Sequence, residues 1–94
     1  MSNDIRTYLD LSTAHVTEEV MQGIKGVPGV IADLNPYGAW LWVPENVDQR
    51  IRETDDEIPP CVLDIWRHAR SLGCDYVRLD CDGEVNEALP TYEW

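Results

Sequence analysis

The chain has 94 residues, 44 % of them apolar: enough for one packed core but not two, and outside the composition of disordered chains. Eighteen Asp and Glu oppose seven Lys and Arg, a formal net charge of −11, which repels phosphate backbones and anionic lipid and attracts a basic groove. Apolar runs are far below membrane-spanning length, and the opening Met1-Ser2-Asn3-Asp4 lacks the regions of a secretion signal, so a cytosolic protein is expected.

The first expected strand covers 5–11, where Ile5, Thr7, Leu9 and Leu11 alternate with Arg6, Tyr8 and Asp10. Helix signals follow. Thr17 is placed to cap, Glu18 and Glu19 complement the helix dipole, and Val16 can staple onto Met21. Val20, Met21 and Ile24 form the apolar stripe, and Gly26 and Pro28 stop the helix.

A second strand is expected over 30–34 and a third over 39–43, joined by the turn residues Asn35-Pro36-Tyr37-Gly38 and ended by Pro44. Residues 45–60 are polar and acidic and read as the longest loop, with a helical turn about 47–52. Pro60 suits the first turn of a second main helix. Val62, Ile65, Ala69 and Leu72 keep helical spacing with Trp66 beside the stripe, while Asp64, Arg67, His68, Arg70 and Ser71 face outward and Gly73 ends the helix. A fourth strand over 75–80 alternates Val77 and Leu79 against Tyr76 and Arg78, and Asp82-Gly83 turns the chain into the tail 84–94.

This order predicts a single α+β domain over 1–94 of the ferredoxin-like βαββαβ type: a four-stranded antiparallel sheet with two helices on one face. With Leu9, Leu41, Val43, Val77 and Leu79 toward the helices, the other face carries Tyr8, Trp40, Trp42, Tyr76, Arg6, Arg78 and Asp10. Such an aromatic patch marks an interaction site unless something covers it. Either the apolar tail Leu89-Pro90-Thr91-Tyr92-Glu93-Trp94 folds over it, or a partner protein or second copy does. RNA stacking is disfavoured, since a base-binding sheet is framed by Lys and Arg and this one by carboxylates.

Motifs that invite chemistry lack their context. Asp80-Cys81-Asp82 imitates the strand-end Asp-x-Asp of haloacid-dehalogenase-type phosphatases, but twelve residues follow it where a large fold with a later Lys is needed. The same turn lacks the Glu at position twelve of a calcium loop. Cys61, Cys74 and Cys81 form no Cys-x-x-Cys pair and read as reduced, small apolar residues. Cys61 and His68 lie roughly 10 Å apart along a helix, too far for a nucleophile–base pair, and His15 reads as a capping or packing residue at the first strand–helix turn. No catalytic residue, cofactor or metal is expected.

Two acidic runs remain: Glu53, Asp55, Asp56 and Glu57, and then Asp75, Asp80, Asp82, Glu84 and Glu87. Gathered like charges repel one another, which a basic partner would relieve.

The stretches Leu11-Ser12-Thr13-Ala14-His15-Val16-Thr17-Glu18-Glu19, Trp40-Leu41-Trp42-Val43-Pro44, Gly73-Cys74-Asp75-Tyr76 and Leu89-Pro90-Thr91-Tyr92-Glu93-Trp94 resemble a family of short bacterial proteins of unknown function carried on plasmids and phage-like elements. The resemblance covers most of the chain and assigns no activity to any residue. Its size, acidity and mobile-element setting look like those of anti-CRISPR and anti-restriction proteins, several of which imitate DNA. The expected function is therefore an anti-CRISPR-type inhibitor that occupies the basic nucleic-acid groove of a protein such as a CRISPR effector subunit. Its two acidic runs would stand in for phosphates, with Trp40 and Trp42 as anchors. Direct nucleic-acid or membrane binding is not expected, and a monomer is slightly favoured over a dimer. The alternative is a non-catalytic regulatory or structural adaptor that binds a protein, or dimerises, through the aromatic face.

Overall fold

The computed structural model describes residues 6–27, 29–54 and 57–93; Ile5, Pro28, Asp55, Asp56 and Trp94, all invoked above, lie outside them. The elements are β1 (Tyr8–Ser12), α1 (Glu18–Gln22), β2 (Ala32–Asn35), β3 (Gly38–Trp42), α2 (Val47–Glu53), α3 (Pro60–Ser71) and β4 (Tyr76–Asp80). Short 3₁₀ turns at Thr13–His15 and Ile24–Gly26 flank α1.

The fold is mixed α+β, and its sheet corrects the expected antiparallel ferredoxin-like arrangement. Strand order is β1-β4-β3-β2; β1 runs parallel to β4, while β2–β3 and β3–β4 are antiparallel. The cause is α2. Residues 45–60 hold more than a loop: Asn46 caps a helix, its Oδ1 accepting the Gln49 amide at 2.9 Å, and Thr54 closes it by donating to the Arg50 carbonyl at 2.8 Å. The chain leaves β3 along α2 and returns along α3, so Asp48 at the start of α2 meets Arg67 late in α3 at 3.2 Å. That extra pass brings β4 in beside the end of β3, where the Val43 amide donates to the Asp75 carbonyl at 2.9 Å. β4 therefore runs opposite to the direction that a single helical crossover would give it.

All three helices contribute to one core on one face of the sheet. Leu11, Leu41, Val43, Val77 and Leu79 meet Ile24, Val47, Val62, Ile65, Trp66 and Ala69, with Val20 and Met21 half-buried against them. Each enclosed Leu, Ile or Val contributes about 1.5–3 kcal/mol by leaving water. The Thr17 hydroxyl accepts the Val20 amide at 3.2 Å, but α1 tightens into 3₁₀ geometry after Gln22, so the stripe ends on Ile24 within that turn.

Two side chains of α3 depart from the expected pattern. Leu72 sits at the helix terminus before Gly73, whose φ is +76°, and is exposed. Arg70 turns inward, donating to the Val43 carbonyl at 2.9 Å and the Pro44 carbonyl at 3.3 Å, and so ties α3 to the end of β3.

The tail returns over the helical side of the sheet. The Ser12 amide donates to the Glu84 carbonyl at 3.1 Å, Leu89 is buried in the core, and the Tyr92 amide donates to the Ala14 carbonyl at 2.8 Å. Tyr92 packs against the same core, where burial first, then the Cys61 and Asp64 charges, push its phenol above its usual range. Residues 89–92 thus do not cover the aromatic face.

Candidate functional site

Strand alternation and register arrange the face opposite the helices into three cross-sheet rows. Tyr8, Tyr76 and Trp42 form the first; Asp10, Arg78, Trp40 and Asp33 the second; Ser12, Asp80, Gly38 and Asn35 the third. The rings meet edge to face: Tyr8–Trp40 at 5.1 Å, Trp42–Tyr76 at 4.8 Å and Trp40–Tyr76 at 6.4 Å between centroids. This geometry sets positive ring edges against negative faces and stiffens the patch. Tyr8 is 50 % and Trp42 38 % exposed. The Arg6 guanidinium lies 5.9 Å from the Trp42 ring centroid, within cation–π range.

Polar groups frame the patch. Arg78 donates to Asp80 at 2.6 Å; that hydrogen bond, with the fields of Asp10 and Asp80, raises the guanidinium pKa further above its ordinary value. Asp80, only 8 % exposed, also accepts the Asp82 amide at 2.8 Å. That amide first, and Arg78 second, hold its carboxyl below the usual carboxylate range. Asp33 is exposed on the edge strand β2, and its carboxylate makes no hydrogen bond or ion pair among the described residues.

The residues expected to form the site are only partly brought together. Trp40 and Trp42 share the open face. Trp42 also lines a groove of about 350 Å³ with Pro44, Glu45, Asn46, Gln49, Arg50 and Glu53, which joins one member of the first acidic run to the aromatics. Glu53 accepts from Gln49 at 2.9 Å, and Glu57 is exposed before α3; Asp55 and Asp56 lie outside the described residues.

The second acidic run is split. Asp75 precedes β4 and Asp80 ends it, roughly 16 Å apart at strand rise, and each faces an arginine of the chain: Arg70 at 3.5 Å and Arg78 at 2.6 Å. Asp82, Glu84 and Glu87 are exposed beyond β4.

Asp80, Cys81 and Asp82 place three ligand-type atoms within 4.8 Å of one another. Each oxygen of Asp80 already accepts one hydrogen bond, from Arg78 and from the Asp82 amide, so a cation there would compete with the Arg78 guanidinium for the same carboxylate.

His15 carries a role that its sequence neighbourhood concealed. It is buried in the first strand–helix turn, but its partners come from the tail: Nε2 accepts the Asn86 amide at 2.8 Å, and Nδ1 lies 2.8 Å from the Pro90 carbonyl. With both ring nitrogens engaged, it clasps the tail to the first strand–helix turn. The apolar tail was the only signal, and it does not name its receptor.

A small acidic α+β chain is thereby defined, whose aromatic sheet face is not covered by residues 89–92 of its tail. No helix among the described residues is long and apolar enough to cross a membrane. The family model described as "Family of unknown function (DUF5983) C-terminal domain" matches residues 8–94, and the chain belongs to that family. Neither the curated proteins nor the solved structures contain a match to it.

Proposed function

We propose that this chain is a non-catalytic binding domain that docks a basic protein surface on its open sheet face. The observation that carries this reading is the position of the tail. Leu89 and Tyr92 pack on the helical side, which leaves Tyr8, Trp40, Trp42 and Tyr76 available to a partner. Rigid aromatics are the side chains that most often dominate binding energy at protein interfaces. The net charge of −11 selects a basic partner and steers its approach. Regulation of that partner, or a structural adaptor role, is the expected consequence.

A second reading, an anti-CRISPR-type inhibitor that imitates DNA, is favoured by the charge and by the exposed Asp82, Glu84 and Glu87 beyond β4. It would act in the cytosol of a bacterial host on a protein with a nucleic-acid groove, such as a CRISPR effector subunit. Against it, Asp75 and Asp80 are paired within the chain and the second run is divided between two ends of a strand.

Both readings are tested with one partner, captured from a bacterial host and purified. The docking reading predicts that Trp40→Ala or Trp42→Ala abolishes binding without unfolding, while reversing Asp82, Glu84 and Glu87 together weakens it only modestly. Strong loss from the triple reversal, with steep weakening as salt shortens the Debye length from about 10 Å to about 3 Å and with competition by duplex DNA, would favour the inhibitor.

A further inference from the structure

A basic partner can present lysine or arginine, and one corner of the open face is specific about which. Trp40, Trp42 and Tyr76, with Ile31, Ala32, Asp33 and Leu41, line a shallow cavity of about 50 Å³. Its aromatic walls stand nearly perpendicular: the planes of Trp40 and Trp42 are inclined to Tyr76 by 85° and 77°. Asp33 supplies a carboxylate without a partner among the described residues at its rim. Three aromatic rings lining one small space beside an anion favour a cation, because a ring face and the carboxylate attract it in the same sense.

The molecule already carries an instance of this chemistry, since the Arg6 guanidinium lies over the Trp42 ring. Beyond Trp42 the surface runs into the groove where Glu45 and Glu53 outnumber Arg50, so a chain rich in positive charge meets a net negative lining on leaving the aromatics.

We infer that the Trp40–Trp42–Tyr76–Asp33 corner receives an arginine side chain of the partner protein, an inference that rests on the docking reading above. The guanidinium stacks on the indoles and pairs with Asp33, and the planar ion suits aromatic faces better than a strongly hydrated ammonium does. The flanking residues of the partner then lie along the groove beside Glu45 and Glu53.

The test uses arginine methyl ester as probe and citrulline methyl ester as its neutral isostere, titrated into the labelled full chain while the indole N–H signals are followed by NMR. Arginine ester is expected to shift Trp40 and Trp42 saturably and to leave the enclosed Trp66 signal unmoved, with citrulline ester inert. Asp33→Asn, an exposed edge-strand change, should weaken the ester about two- to fivefold, the range of one exposed cation–π or ion-pair contact. Trp42→Leu should abolish the Trp40 shift.

Equal shifts from the citrulline ester, the absence of saturation, or indifference to Asp33→Asn would overturn the arginine site. Tighter saturation of the same indoles by an oligouridylate would overturn it in favour of base stacking. The two proposals fail separately. A captured partner that needs Trp40 and Trp42, with an inert arginine ester, refutes the arginine site and keeps the docking function. A responsive ester, with a partner indifferent to both tryptophans, keeps the cation site and refutes the docking function.

Discussion

Nδ1 of His15 lies 2.8 Å from the carbonyl oxygen of Pro90, 75 residues later in the chain. The Asn86 amide donates to Nε2, so that nitrogen holds a lone pair, and Nδ1 carries the hydrogen and donates to Pro90. Asn86 extends the clasp: its Oδ1 accepts the Ala88 amide at 2.9 Å, which orients the side-chain nitrogen toward His68 Nε2 at 3.2 Å. The opening Ser-Thr-Ala-His and the closing Pro-Thr-Tyr segments are thus two halves of one contact, and that contact keeps the tail off the aromatic face.

His15→Ala removes both hydrogen bonds at a buried site. The expected loss is about 1–3 kcal/mol, two bonds at about 0.5–1.5 kcal/mol each, read by denaturant titration. Hydrogen exchange at the Asn86 and Tyr92 amides should accelerate together. Unchanged exchange at Tyr92 would show that the clasp does not hold the tail.

Asp80 makes stability depend on pH with a definite sign. Its carboxyl is held below the usual range, so the fold favours the ionised form. That contribution is full above the unfolded value near 4 and is lost as pH falls through the lower folded value. The stability gap between the protein and Asp80→Asn should stay constant from neutral pH to about pH 5 and shrink below about pH 4. Denaturant titrations across that window decide it, and a gap that widens on acidification contradicts the pairing with Arg78 and the Asp82 amide.

Two glycines lie where backbones touch. A Cβ at Gly38 would stand 1.9 Å from the Leu79 carbonyl oxygen, and one at Gly83 would stand 2.5 Å from that of Leu11. In each case the obstacle is backbone, which cannot swing aside. Gly38→Ala is expected to cost about 3 kcal/mol or more, at the upper end of single-substitution effects, and Gly83→Ala somewhat less. Gly26→Ala, where the new methyl meets nothing within 4 Å, is the control and should be close to neutral in thermal melts.

Trp66 is fully enclosed, and its indole nitrogen has no hydrogen-bond partner among the described residues. Removing the unsatisfied donor returns about 1–3 kcal/mol, which offsets the volume lost on substitution by a smaller ring. Trp66→Phe should therefore lie within about 1 kcal/mol of the parent, whereas Trp66→Ala should cost about 3–5 kcal/mol through its cavity. Similar losses for the two variants in urea titrations would mean that the donor is satisfied.

Which faces the strands present was legible in the residues, because alternation of Leu9 with Tyr8, Leu41 with Trp40 and Trp42, and Val77 with Tyr76 and Arg78 assigns each side chain without reference to neighbours. Alternation does not say which strand lies beside which. That depended on whether 45–60 crosses the sheet, and the helical turn expected about 47–52 was too short to settle it. The same limit applied to the charges. Asp75 and Asp80 are close in sequence, but the strand between them carries them to opposite ends, and each has an arginine that no local spacing announced. The tail was legible as apolar; its receptor, His15, was not, because a contact across 75 residues leaves no periodic trace.

The central claim, that the open aromatic face is where a partner docks, is most directly tested by hydroxyl-radical footprinting of the free protein and of its complex with the captured partner. Trp42 and Tyr8 on the open face are to be compared with the exposed Tyr37 at the β2–β3 turn and with Tyr92 on the helical side. The account predicts ready oxidation of Trp42 and Tyr8 in the free protein and strong protection of both in the complex, with Tyr37 and Tyr92 unchanged. Protection confined to Tyr37 or Tyr92, with Trp42 and Tyr8 oxidised as readily as before, would contradict it.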